Sequence, residues 1–257
     1  MTKTLIVGNW KMNLNVHQAS LYVHELSNKI SPHRDVDVVL APTAIALQTL
    51  SLQVKKHGFD LAAQNCYWRD EGAFTGEVSA TQLRGLVNYV IVGHSERRHI
   101  FGETNKEVRS KVQAILRNGL TPILCVGETA DERANDETKH VLHDQVSGGL
   151  ANVASDEIDK VVIAYEPVWA IGTGQNALPR DLELAERTIR HQIESLYGKQ
   201  IASSIKLLYG GSVNSDNASD YLSLKGINGL LVGGASLHAE QFSSIIDKAH
   251  QLKGKKS

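Results

Sequence analysis

Eight short apolar runs, spread along the whole chain and separated by helical patterns, constrain this sequence more than any other feature. They cover residues 5–7, 36–41, 61–63, 89–92, 123–126, 161–165, 206–209 and 230–232. Most are near-continuous in Val, Ile, Leu and Ala instead of alternating apolar with polar. That is the pattern of strands buried on both faces of a parallel sheet. Between them, Val16, Ala19, Val23, Leu26 and Ile30 step by three and four. Thr104 with Glu107 reads as a capping box ahead of Val108, Val112, Ile115 and Leu116, with Gly119 as the stop, and Ser79 with Gln82 reads as a second. Pro179 suits a first helical turn, followed by Leu182, Ala185, Ile189 and Ile193, and Gly198 closes that helix. Eight strand–helix units in 257 residues predict an α/β fold closed into a (β/α)8 barrel, eight parallel strands with outer helices. One domain is expected over residues 1–257, with an open doubly wound sheet as the alternative.

Charge and composition narrow the partners. The formal net charge is -1, and no basic stripe or aromatic–basic interleaving argues for nucleic acid. An anionic ligand would have to be met locally. The two cysteines, Cys66 and Cys125, form no CxxC and no zinc-spaced cluster, and both read as buried reduced thiols. The N-terminus runs straight into the first apolar segment without a signal-peptide pattern, and no apolar stretch approaches the roughly 18 residues of a membrane span. A cytoplasmic protein without membrane contact is expected.

The chemically capable residues follow the apolar runs. Asn9 and Lys11 come after the first, His94 and Glu96 after the fourth, Glu166 after the sixth. Gly210, Gly211 and Ser212 come after the seventh, and Gly233 and Gly234 after the eighth. In a parallel barrel those strand ends share one face, where active sites are built. Taken singly each has a bland reading: a solvated lysine, a structural histidine, a strand stopped by Pro167, ordinary glycine turns. Their joint placement favours a site. His94, Glu96 and His99 make no metal-ligand set, so no metal is expected. Gly93-His94-Ser95 is not a nucleophile elbow. The Gly172–Ala177 stretch matches a dinucleotide fingerprint only weakly, because it does not open straight from a strand. A carboxylate base beside a neutral hydrogen-bond donor suits proton abstraction next to a carbonyl. Adjacent glycines bare their N–H groups to a phosphate. The residues themselves therefore point to a barrel enzyme for a small phosphorylated carbonyl compound.

Longer motifs are more specific. Gly8-Asn9-Trp10-Lys11, Ala63-Gln64-Asn65, Gly72-Ala73-Phe74-Thr75-Gly76-Glu77, Gly93-His94-Ser95-Glu96-Arg97-Arg98 and Cys125-Val126-Gly127-Glu128 resemble triosephosphate isomerases. So do Ala164-Tyr165-Glu166-Pro167-Val168-Trp169-Ala170-Ile171-Gly172-Thr173-Gly174, Tyr209-Gly210-Gly211-Ser212-Val213 and Leu231-Val232-Gly233-Gly234-Ala235-Ser236. The resemblance runs in order along essentially the whole chain.

It implies a TIM barrel that interconverts dihydroxyacetone phosphate and glyceraldehyde 3-phosphate without a cofactor. Glu166 is implied as the base and His94 as the neutral electrophile. Lys11 is implied as fixed positive charge, Asn9 as a second donor to the substrate oxygens, and Glu96 as the partner of the lysine. The backbone N–H groups of Gly172, Ser212, Gly233 and Gly234 are implied as phosphate ligands. Pro167, Val168, Trp169, Ala170, Ile171, Gly172, Thr173 and Gly174 resemble a closing lid. The apolar loop 64–77, with Tyr67, Trp68 and Phe74, is implied to enter a second subunit of a homodimer, bringing Thr75 near that subunit's site.

One stretch departs from the family. Gln175-Asn176-Ala177-Leu178 stands where a lysine, a small residue, alanine and a hydroxyl residue are usual, which bears on the lid's far hinge. Two other readings remain at this point: a Schiff-base aldolase using Lys206, the one lysine inside a strand run, and a non-catalytic sugar-phosphate binder.

Overall fold

The computed structural model describes the chain apart from residues 1–2, 31–32, 173–174 and 255–257. Eight parallel strands close in sequence order: β1 Thr4–Asn9, β2 Val36–Ala41, β3 Asp60–Ala63, β4 Tyr89–Val92, β5 Thr121–Val126, β6 Val162–Tyr165, β7 Lys206–Tyr209 and β8 Gly229–Val232. Barrel closure pairs Leu5 with Gly229 and Gly8 with Val232. The closure needs a residue without a side chain at its start, since a Cβ on Gly229 would lie 1.9 Å from the Leu5 carbonyl oxygen. The closed barrel excludes the open-sheet alternative.

Strand parity divides the core in two. Leu5, Val7, Val39, Ala41, Ala62, Ile91, Ile123, Cys125, Val162, Ala164, Leu208 and Leu231 form one buried cluster. The intervening residues, among them Ile6, Leu40, Val92, Leu124 and Ile163, pack with helix residues such as Val23, Ile115 and Ile189 in the other. The first cluster fills the barrel, and the second lies between barrel and helices. Because side chains alternate along a strand, the inward series Val162, Ala164 continues to Glu166. By the same count Leu5, Val7 continues to Asn9, Leu208 to Gly210, and Leu231 to Gly233.

Lys206 is also inward by this count, but it opens its strand. It lies at the opposite end of the barrel, with Nζ 3.7 Å from Asp37. The parity that the sequence left undetermined is therefore settled, and it puts Lys206 on the wrong end for a Schiff base in the site.

Most boundaries agree with the sequence reading, with local differences. Asn9 is the last residue of β1 and not a loop residue, because it still pairs with Ala41. β5 begins two residues early and includes Pro122 near its start, where a missing N–H is tolerated. Both expected capping boxes form, at Ser79 and Thr104. Two more appear at Asn15 with Gln18 and at Thr129 with Glu132. Among the described residues no helix is long and apolar enough to cross a membrane.

Candidate active site

Gly93 turns the chain at the end of β4. Its φ is +65°, and a Cβ there would stand 2.7 Å from Arg98 Nη2. Arg98 fixes the turn by donating from Nε to the Gly93 carbonyl (2.7 Å) and from Nη2 to the Cys125 carbonyl on β5 (3.1 Å). His94 then caps the short helix Ser95–His99. The first N–H groups of a helix have no partner within it, and here two are used by the site. Ser95 N–H donates to Glu166 Oε2 (3.0 Å), and Glu96 N–H donates to His94 Nδ1 (3.2 Å). His94 Nε2 lies 3.0 Å from Glu166 Oε1. Both side chains are buried, at 6% and 2% exposure.

The protonation states follow from these contacts. Burial alone would raise the Glu166 pKa, but the adjoining His94 ring, the Ser95 N–H and Lys11 together hold it below the ordinary carboxylate value. Burial pulls His94 down, while the Glu166 charge and hydrogen bond, with Glu96 behind them, carry it above the ordinary imidazole value. That upward pull lasts only while Glu166 stays beside the ring. The Glu96 N–H occupies Nδ1 as an acceptor, so a second ring proton costs that bond. The arrangement favours a neutral ring with its proton on Nε2.

Lys11 sits opposite, with Nζ 2.5 Å from Glu96 Oε1. Its φ is +53°, a conformation costing about 1–2 kcal/mol for a residue with a Cβ. Gln64 holds it there: its amide donates to the Lys11 carbonyl (2.8 Å) and to the Ala41 carbonyl (2.9 Å). Asn9 Oδ1 accepts the Lys11 N–H at 3.1 Å.

Asn9, Lys11, His94 and Glu166 line a pocket of about 240 Å³ with Ile171, Gly172, Gly210, Gly211, Ser212, Val213, Gly233 and Gly234. Lys11 is the one lysine lining it among the described residues. One glycine pair also has a steric role. A Cβ on Gly210 would meet Glu166 Cγ at 2.9 Å, and one on Gly211 would meet the Tyr209 hydroxyl at 2.2 Å. These glycines leave room for the Glu166 carboxylate and the Tyr209 ring as well as baring the backbone.

Of the expected lid, Thr173 and Gly174 lie outside the described residues. Val168–Ala170 forms a tight 3-10 turn, anchored on a side chain to which the sequence reading gave no role. Glu128 is fully buried. It accepts from Trp169 Nε1 (2.9 Å) and from the Tyr165 hydroxyl (3.0 Å), and its carbonyl accepts the Val168 N–H (3.0 Å). Burial raises its pKa, and the Trp169 and Tyr165 hydrogen bonds with the Arg133 charge restrain the rise. Arg133 lies 4.1 Å over the Trp169 ring and pairs with Asp181 at 2.9 Å.

Every expected catalytic and phosphate-site residue thus gathers at one barrel end, whereas Thr75 does not. It lies on the exposed loop beyond the stacked Tyr67 and Trp68 rings, away from this pocket. Gln64 and Glu128 were missed although each follows a strand. Gln64 follows the third strand and Glu128 the fifth, so the strand-end placement that marks the other site residues is the signal that finds both.

Fold and site together define a class: a (β/α)8-barrel enzyme with a buried carboxylate–imidazole pair and a lysine over a glycine-lined pocket. The sequence profile described as triosephosphate isomerase matches residues 4–249. The chain is 44% identical over 247 residues to the triosephosphate isomerase of Trichlorobacter lovleyi, covering 96% of this chain and 98% of that one. It is 42% identical over 248 residues to that of Geobacter metallireducens (96% and 99%) and 41% identical over 249 residues to that of Streptococcus mutans (95% and 98%). The chain belongs to the triosephosphate isomerase family.

The Glu128 anchor carries a prediction. Tyr165→Phe removes a hydroxyl donor from a buried carboxylate and is expected to destabilise the fold by about 1–3 kcal/mol. Urea unfolding near neutral pH measures it, and a change within about 0.5 kcal/mol, the usual range for an inert surface substitution, would exclude the anchor role.

Proposed function

We propose that this chain interconverts dihydroxyacetone phosphate and D-glyceraldehyde 3-phosphate through an enediolate, with Glu166 as the base, His94 as the electrophile and no cofactor. The observation that carries the residue assignment is the Glu166–His94 contact, buried at the pocket and held by two backbone N–H groups.

The chemistry conserves atoms and electrons. The Glu166 carboxylate takes a proton from the hydroxyl-bearing carbon beside the ketone. The C–H pair becomes the C=C bond, and the carbonyl pair moves onto oxygen. His94 donates from Nε2 to that oxygen and takes the proton of the neighbouring hydroxyl, so the ring ends with one proton, as it began. Glu166 returns its proton to the former carbonyl carbon, which leaves the aldehyde. Lys11 and Asn9 stabilise the developing negative charge, with Glu96 orienting the lysine. The N–H groups of Gly172, Ser212, Gly233 and Gly234 bind the phosphate, and that remote binding helps lower the barrier at carbon. The segment from Pro167 to Gly174 closes over the intermediate and excludes water. Both Lys206 and a purely binding role fit less well, since a binder has no need of the buried acid–imidazole pair.

The chain works as one domain in the cytoplasm and pairs as a two-fold homodimer. Support for the dimer comes from loop 64–77, where Phe74 is 38% exposed. A cavity of about 300 Å³ beside Lys11, lined by Met12, Thr43, Gln64, Cys66 and Arg97, is suited to receive a partner's loop and its Thr75.

A coupled assay with glyceraldehyde 3-phosphate tests the activity. Glu166→Asp retracts the carboxylate by one methylene and is expected to lower kcat by about 10²–10⁴ with little change in binding. A kcat near wild type would remove Glu166 as the base. Light scattering is expected to give twice the chain mass, and a fully active monomer would refute the dimer.

A further inference from the structure

The Gln175-Asn176-Ala177-Leu178 stretch beyond the expected lid meets a second segment that the mechanism does not use. Asn217 precedes the helix Ala218–Ser223. Its side chain grips the turn after β7 at two points. Oδ1 accepts the Asn214 N–H (2.9 Å), and Nδ2 donates to the Ser212 carbonyl (3.0 Å). These two bonds fix the orientation of the amide, because a backbone N–H needs an acceptor and a carbonyl needs a donor. The turn is tied in return, since Asn214 Oδ1 accepts the N–H groups of Asp216 (2.8 Å) and Asn217 (3.1 Å).

The same Nδ2 also reaches Asn176 Oδ1 at 3.4 Å. Four residues on, along the same helix face, the Tyr221 hydroxyl donates to the Ala177 carbonyl at 3.3 Å. One short segment therefore holds two consecutive residues beyond the lid and, through Asn217, the Ser212 turn of the pocket. Ala177 and Tyr221 are buried, whereas Asn176 is exposed.

We propose that Asn217 is a positioning residue for phosphate recognition: it sets the Ser212 turn and couples that turn to the hinge through Asn176. The proposal rests on the pocket being the triose phosphate site. With the Ser212 carbonyl and the Asn214 N–H both pinned, the turn meets the phosphate already ordered. Without Asn217 the ligand must order it.

The test is made on the full-length protein with inorganic phosphate as the probe, titrated by calorimetry. Asn217→Ala is expected to weaken phosphate binding about three- to tenfold, the equivalent of one net hydrogen bond. The kcat/KM for glyceraldehyde 3-phosphate should fall in parallel, while turnover of glyceraldehyde, which lacks the phosphate, should change less than about twofold. A general structural role would move both substrates alike and would overturn the proposal, as would unchanged phosphate binding in a folded variant. Asn176→Thr removes only the bridge, leaves an exposed site, and is expected to weaken phosphate about two- to threefold. In the Asn217→Ala background it should have no further effect. Full additivity, or no effect of Asn176→Thr alone, would break the coupling to the hinge. If phosphate binding responds as expected but the wild-type protein does not isomerise triose phosphate, the assigned reaction fails and the positioning role stands.

Discussion

Two backbone N–H groups at the start of the Ser95–His99 helix hold both side chains of the buried Glu166–His94 pair. One stabilises Glu166 as a carboxylate, and the other occupies His94 Nδ1. The Glu166 charge pulls the neighbouring ring toward imidazolium, and the Glu96 N–H on Nδ1 opposes the second ring proton. The helix start exists in this position because Gly93 adopts a positive φ and Arg98 staples that turn to β5. Glu166 arrives at the same place because it continues the inward series of β6. Local backbone geometry and strand parity therefore decide the electrostatics.

The surroundings of the pair combine rigidity with room to move. Lys11 is held in an unfavourable conformation by Gln64, and the segment after Glu166 is held by Glu128, Trp169 and Tyr165. Opposite them, Gly210 leaves the Glu166 side chain unobstructed. The Glu166 carboxylate rests on the Ser95 N–H, and a side chain at position 210 would crowd its Cγ at 2.9 Å. Gly210, one of the glycines at the pocket, thus also leaves room for the Glu166 side chain.

Much of the fold is legible in the sequence because strand burial and helix capping are local. The apolar runs mark all eight strands, and the capping boxes at Ser79 and Thr104 form where the residues place them. The site is partly legible for the same reason: Asn9, Lys11, His94, Glu166 and the glycines all sit at strand ends. The rest depends on distant contacts. That Gln64 holds the Lys11 carbonyl, that Arg98 crosses to Cys125, and that Asn176 meets Asn217 are facts of tertiary packing between segments far apart in the chain. The inward parity of Lys206 was likewise invisible until the barrel closed. Its neighbour Asp37 then puts it at the opposite end from the pocket.

The most direct test is the protonation of His94, read by 15N NMR on histidine-labelled protein at about pH 8. The account predicts a neutral ring with its proton on Nε2 and with Nδ1 showing the shift of an unprotonated, hydrogen-bonded acceptor. An imidazolium at that pH, or a proton on Nδ1, would contradict it.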